Sequence, residues 1–207
     1  TLDLPGLKSL TFTPKDIDVI RTAAQAIRSV NTLPLGIAGF SIGGTYGLLA
    51  LSRSTSAINN KTTYILSAGP CCRLTSLFQH ILQAARIDPY MALAAAWRYP
   101  QGLTAAERET LHTLLKEYCR KEGHFSCEET RFIDRILAHV SEANLLSAWH
   151  ADLIKTPELT LSKDDLCRIS ARIFLLHSTN DILVPQEETR EIYRILTEAE
   201  IGRASCR

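Results

Sequence analysis

The sequence predicts an α/β protein: a parallel sheet with flanking helices, interrupted by an insertion made only of helices. Three observations carry this. An amphipathic helix, an apolar strand, a glycine-rich turn and a second helix follow one another over residues 14–51. Two further β-rich runs stand at 62–67 and 173–177. Between them, from about 71 to 165, helix-start signals recur without any strand pattern. Helices alternating with strands are the arrangement of a parallel sheet whose crossovers are helical.

Thr13-Pro14-Lys15-Asp16 reads as a helix start, with Thr13 as N-cap, Pro14 at the first helical position and Asp16 in the first turn. Ile17, Ile20, Ala24 and Ile27 recur at helical spacing and give that helix an apolar face. The run Leu33-Pro34-Leu35-Gly36-Ile37-Ala38 predicts a strand at 35–39, and Gly44 to Leu51 a helix directly after the turn. Asn59-Asn60 marks a turn. Thr62-Thr63-Tyr64-Ile65-Leu66-Ser67, bounded by Gly69-Pro70, is β-branched and aromatic and reads as the next parallel strand.

In the insertion, Asp88-Pro89, Thr104-x-x-Glu107, Ser126-x-x-Glu129 and Ser162-x-x-Asp165 carry N-cap signatures, and Gly123 ends the helix opened at Thr104. At about 90 residues the insertion is too long for a single crossover helix. Its large side chains, among them Phe78, Tyr90, Met91, Trp97, Tyr99, Phe125, Phe132 and Trp149, read first as core filling. Ile173-Phe174-Leu175-Leu176-His177 returns to strand character, Ser178-Thr179-Asn180-Asp181 is a loop at its carboxyl end, and a last helix begins near Pro185-Gln186-Glu187-Glu188. Open α/β sheets gather their functional groups at that edge.

With 207 residues, 45% hydrophobic and 22% charged, the chain is long enough to bury a real core. Its net charge of +1, with both signs interspersed, gives no basic field for nucleic acid or an anionic membrane surface. No stretch reaches the ~18 apolar residues of a membrane span, and the chain does not open on a signal region or a methionine. Six cysteines stand at 71, 72, 119, 127, 167 and 206. A chain of this size does not need disulfide staples, and adjacent Cys71 and Cys72 bridge awkwardly. There is no Cys-x-x-Cys, and Cys119, His124 and Cys127 lack a second pair to complete a zinc site. Buried or half-buried thiols in a reducing compartment such as the cytoplasm, with no metal and no cofactor, are the expectation; any targeting region would precede Thr1.

The chemistry concentrates at Gly39-Phe40-Ser41-Ile42-Gly43. A Gly-x-Ser-x-Gly turn between strand and helix is what a nucleophile elbow requires. Glycines two residues either side of Ser41 are expected to remove Cβ atoms that would collide in so sharp a turn. Ser41 Oγ then stands at the carboxyl edge of the sheet, and the Ile42 amide and the helix dipole face a developing oxyanion. The competing reading is a glycine-rich turn whose serine only caps the helix.

Gly39-Phe40-Ser41-Ile42-Gly43-Gly44, followed far downstream by Leu175-Leu176-His177-Ser178-Thr179-Asn180-Asp181-Ile182-Leu183-Val184-Pro185, resembles the α/β-hydrolase family. There, a Leu-His-Gly-x-x-Asp-x-x-Val-Pro segment carries the triad acid; Ser178 stands here in place of its glycine. The resemblance implies Ser41 as nucleophile and Asp181 as the carboxylate that orients a histidine. Asp3-Leu4-Pro5-Gly6 looks like the loop after the family's fourth strand. The implied organisation is an incomplete hydrolase core at 1–70 and 161–198, a helical cap at 71–160, and a non-native tail at 199–207. The family's histidine follows the acid, and none of the six histidines of this chain stands there: His177 precedes Asp181, and His80, His112, His124, His139 and His150 fall in the insertion. The triad histidine is therefore expected outside this sequence, with a cap histidine as the alternative.

What the resemblance implies is a serine hydrolase acting on a small-molecule carboxylic ester or related acyl compound through an acyl-enzyme. Acyl transfer on the same fold and a non-catalytic binding module are the alternatives. A metal or redox protein built on the cysteines and histidines of the insertion lacks ligand spacing.

Overall fold

In the computed structural model, which describes residues 2, 4–121, 124–198 and 204–206, four strands form one all-parallel sheet. They are β1 (Leu35–Phe40), β2 (Thr62–Ala68), β3 (Arg172–Leu176) and β4 (Ala204–Cys206), adjacent in sequence order. The helices are α1 (Pro5–Lys8), α2 (Pro14–Val30), α3 (Ile42–Ser52), α4 (Ser56–Asn59), α5 (Leu74–Gln83), α6 (Pro89–Arg98), α7 (Ala105–Lys121), α8 (Cys127–Glu142), α9 (Leu145–Ile154), α10 (Lys163–Cys167) and α11 (Gln186–Glu198). None of them is long and apolar enough to cross a membrane.

The chain divides into two compact units, one holding residues 1–8, 12–77 and 156–207, the other residues 9–11 and 78–155. In the first, α3 packs on β1 and β2, and α11 on β3. Gly44 to Ser52 of α3 are all buried, which is why this helix is apolar on every side. Ile17, Ile20 and Ala24 of α2 join Leu48, Leu49 and Leu51 of α3, Ile65 of β2, Ile173 and Leu175 of β3, and Ile192 and Leu196 of α11 in the core. Ile27, assigned by its spacing to the apolar face of α2, is 47% exposed. Asn59, read as part of a turn, is the last residue of the short helix α4, and the turn falls at 60–61; the Asn59 side chain accepts from the Ser170 amide at 3.0 Å.

The second unit is helical. Phe78 and Trp149 are fully buried and meet edge to face at 4.7 Å, so the core-filling reading holds for both. Tyr90, Tyr118 and Phe125 form a half-buried aromatic run, and Trp97 stacks on His112 at 4.9 Å. Each N-cap signal is realised. Thr13, Asp88, Ser126 and Ser162 accept from amides of the first turn, the last two in full capping boxes, and Thr104 exchanges the same pair of bonds with Glu107. Gly123 lies outside the described residues, as does most of 199–207. Ala204–Cys206, expected as tail, pairs in parallel with β3.

Candidate active site

Register puts the ends of three strands side by side: Phe40 faces Ala68, and Ala68 faces Leu176. The next residues along the chain, Ser41, Gly69 and His177, therefore line the carboxyl edge. Ser41 has φ 52° and ψ −131°, backbone angles that cost a non-glycine residue ~1–3 kcal/mol. Its amide donates to the Ala68 carbonyl at 2.7 Å, which holds the turn against β2. Its side chain is exposed and makes no capping bond to α3, which removes the reading of Ser41 as a mere cap. Ile42 and Gly43 open α3, where the helical pattern leaves amides without intrahelical acceptors.

The glycines divide differently from expectation. A Cβ on Gly39 would lie 2.4 Å from the Gly43 carbonyl oxygen, so no side chain fits there. Gly43 faces open space, and the second tight position is Gly44, where a Cβ would meet Ser67 Oγ at 2.3 Å. The sharp turn thus needs Gly39 for its own closure and Gly44 to let α3 approach β2, whereas Gly43 is sterically free.

Asp181 stands in the loop after β3. Its Oδ1 accepts from the amides of Leu183 at 3.0 Å and Val184 at 2.9 Å. Its Oδ2 lies 3.5 Å from the Cβ position of Gly69, whose φ of 61° turns the chain after β2. One carboxylate oxygen is therefore saturated by backbone donors, and the other lies beside the β2 end, next to the strand that bonds Ser41. His177 is occupied on both ring nitrogens, by Thr189 Oγ1 at 2.7 Å and the Val184 carbonyl at 2.9 Å. Among the described residues, no histidine hydrogen-bonds to Ser41 or Asp181.

The surroundings are fixed by bonds between segments distant in sequence. Thr45 of α3 clips Cys71, its hydroxyl donating to the Cys71 carbonyl at 2.9 Å and accepting from the Cys71 amide at 3.0 Å. Glu188 of α11 accepts from the Cys72 and Arg73 amides at 2.8 and 3.1 Å and from the Ser76 hydroxyl at 2.6 Å, capping the entry to α5. Burial, outweighing the Thr45 hydrogen bond, pushes the Cys71 thiol up to about 12; burial together with the Glu188 charge takes Cys72 to about 11. Neither is a nucleophile near neutral pH. Cys127 and Cys167, expected to be at least half buried, are exposed. Among the described residues no cluster of His, Cys, Asp or Glu is placed to hold a metal.

A mostly apolar groove of about 670 Å³ runs along β1 beside the turn, lined by Leu2, Leu4, Ile20, Ala24, Ile27 and Phe40 with the backbone of Gly39 and Gly43. A cavity of about 790 Å³ between α7 and α8 is lined by charged groups, of which Glu107 pairs with Arg135 and Glu129 with Lys121. It contains no group set up as a nucleophile.

Several solved structures are similar in fold, two of them as follows. A serine hydrolase from the polyaromatic-hydrocarbon-degrading bacterium Cycloclasticus zankles superposes with a TM-score of 0.51 at 15% identity, over 94% of this chain and 62% of its own. A proposed non-heme bromoperoxidase from Mycobacterium tuberculosis H37Rv gives 0.50 at 14% identity, over 95% and 65%. The chain has the α/β-hydrolase fold. It spans less than two thirds of the length of either hydrolase-fold structure, and no family model and no curated protein matches its sequence. Within that fold, sequence reasoning read Gly69 only as a strand boundary and Gly44 only as a helix start, and missed the pair His177–Thr189. For Gly69 a signal existed, glycine directly after a strand. The His177–Thr189 bond depends on where α11 docks, which no local pattern encodes.

Proposed function

We propose that this chain carries the nucleophile and the acid of a serine hydrolase that cleaves a carboxylic ester or related acyl compound. The observation that carries the reading is Ser41: an exposed, uncapped hydroxyl held at φ 52° where β1 meets α3. Strain at an exposed polar side chain on a sheet's carboxyl edge has no structural use that a glycine would not serve better.

In this reading Ser41 Oγ attacks the acyl carbon as a histidine takes its proton, and Asp181 Oδ2 holds that histidine's other nitrogen. The carbonyl oxygen, now an alkoxide, is met by the Ile42 amide and the positive end of α3. Collapse expels the alcohol, which takes the proton from the histidine, and water repeats the sequence to free Ser41. The groove beside Gly39 and Gly43 suits an apolar acyl or alcohol group. The histidine belongs, in this proposal, to a longer form of the protein. Acyl transfer differs only in the acceptor, an alcohol or amine replacing water.

The test compares this 207-residue chain with a longer form, using a chromogenic short-chain ester and a fluorophosphonate probe. The longer form should turn over ester and label at Ser41, and Ser41→Ala should abolish both. Asp181→Asn should cost on the order of 10⁴ in turnover, the size seen when a triad acid is lost. The 207-residue chain alone should be nearly inert. Strong labelling of it would assign the base to one of its own histidines, and no labelling of the longer form would favour the binding module.

A further inference from the structure

His177 makes two hydrogen bonds that select one tautomer of the neutral ring. The Val184 carbonyl only accepts, so the Nε2 that lies 2.9 Å from it carries a hydrogen. In a neutral ring Nδ1 is then bare and accepts, and its partner at 2.7 Å, the Thr189 hydroxyl, donates. Thr189 is 1% exposed, so this bond is sheltered from water; its single hydroxyl proton also has the Pro70 carbonyl within reach at 3.2 Å, and in the neutral ring the bare Nδ1, nearer at 2.7 Å, takes it. One imidazole thus joins the end of β3, the first turn of α11 and the far side of the 178–184 loop.

Val184 is held from both sides. Its carbonyl takes the His177 proton while its amide donates to Asp181 Oδ1 at 2.9 Å. The loop is closed near its start as well, where the Asp181 amide donates to Ser178 at 3.2 Å. A group that fixes Val184 therefore fixes the amide that orients the Asp181 carboxylate and leaves Oδ2 as the oxygen open to a partner.

We propose that His177 is a positioning residue: in its neutral Nε2–H form it pins the loop after β3 and, through Val184, sets the orientation of Asp181. The proposal rests on the reading of Asp181 as the triad acid for its catalytic consequence, while the pin itself is read independently of catalysis. His177 does not itself touch substrate; it acts through Val184.

The test uses imidazole nitrogen NMR and amide exchange on this chain in mildly alkaline buffer, with His177→Leu, His177→Gln and Thr189→Val. The ring, assigned by its disappearance in His177→Gln, should show a protonated Nε2 and a bare, hydrogen-bonded Nδ1; the opposite tautomer overturns the proposal. His177→Leu should speed exchange of the Leu183 and Val184 amides by about five- to tenfold. His177→Gln keeps an N–H within reach of the Val184 carbonyl and should hold those amides within about twofold of wild type. Thr189→Val, which removes only the Nδ1 partner, should shift that nitrogen toward a free one and fall between the two in exchange. Unchanged exchange in His177→Leu, or equal acceleration in the leucine and glutamine variants, overturns the pin. If the exchange pattern holds while the longer form takes no probe at Ser41, the pin stands and only the hydrolase reading fails.

Discussion

The two faces of the sheet could hardly differ more. On one, Ile65, Ser67, Ile173 and Leu175 are at most 1% exposed; on the other, Tyr64, Phe174 and Leu176 are 47%, 40% and 41% exposed, and Phe40 reaches 74%. These are alternate residues of the same strands, so the difference comes from connectivity and not from composition. The strands add in sequence order, all parallel. Right-handed crossovers that all step in one direction lay their helices on one face. A parallel sheet normally has both faces covered and reads apolar on both, as Tyr64-Ile65-Leu66 and Ile173-Phe174-Leu175-Leu176 do here. The pattern along the strands is that of a two-sided core, and the helices of this chain cover one side.

The sharpest way to break the comparison is to truncate one residue on each face. Leu175→Ala should lower unfolding free energy in urea by about 2–5 kcal/mol, against under ~1 kcal/mol for Leu176→Ala next to it; equal losses would mean that the second face is covered in solution. Gly44→Ala, under the covered face, should cost about 1–3 kcal/mol by overpacking against Ser67. The double variant Gly44→Ala/Ser67→Ala should recover most of that, and Gly43→Ala should stay within about 0.5 kcal/mol of wild type. These values come from the same denaturation experiment.

A subtler effect is pH-dependent. Burial alone would raise the Asp165 carboxyl, but the Ser162 hydroxyl and amide, with Arg53 and Ser52, outweigh it and hold it below the usual carboxylate range. A lowered folded-state pKa stabilises above the unfolded value of about 3.9 and ceases to as pH falls through the folded one. The stability gap between wild type and Asp165→Asn should therefore be widest near neutrality and close on acidification; a gap that widens in acid contradicts the assignment. A small change in stability, of about 1 kcal/mol, is expected for Phe174→Glu on the open face, where the ring is 40% exposed and meets Tyr64 edge to face. What that variant should alter is self-association, measured as the concentration dependence of sedimentation.

How much of this could be read from the residues depends on the range of the interaction. Thr13, Asp88, Thr104, Ser126 and Ser162 declared their helix starts because a cap is a bond over two or three residues. The three main strands were legible as β-branched or apolar runs, and Ser41 and Asp181 through their motifs. β4 was not, since Ala204-Ser205-Cys206 has no strand character and owes its conformation to pairing with β3. The open face of the sheet was equally illegible, because the strand pattern is the same whether or not a helix lies on it. Gly43 and Gly44 show the limit within a motif: the Gly-x-Ser-x-Gly spacing marks Gly43, while the contact that needs glycine, with Ser67, is set by helix packing.

The place where the helical unit enters the chain also shapes how the molecule can assemble. β2 ends at Ala68 and its neighbour β3 begins at Arg172, so their pairing must close a loop of about 100 residues. Closing so long a loop from a flexible chain costs about 2 kcal/mol more than a tenfold shorter one. The helices from Phe78 to Lys155 form a compact unit of their own, stabilised by short-range contacts such as α6 with α7 and α8 with α9. If that unit condenses first, it draws the two strand ends together before they meet, and the slow non-local step becomes a short one. Once folded, the helical insertion removes the closure cost that it imposes as an open chain, so a variant that unfolds it without shortening the chain would slow the approach to the native state before it weakened the strands themselves.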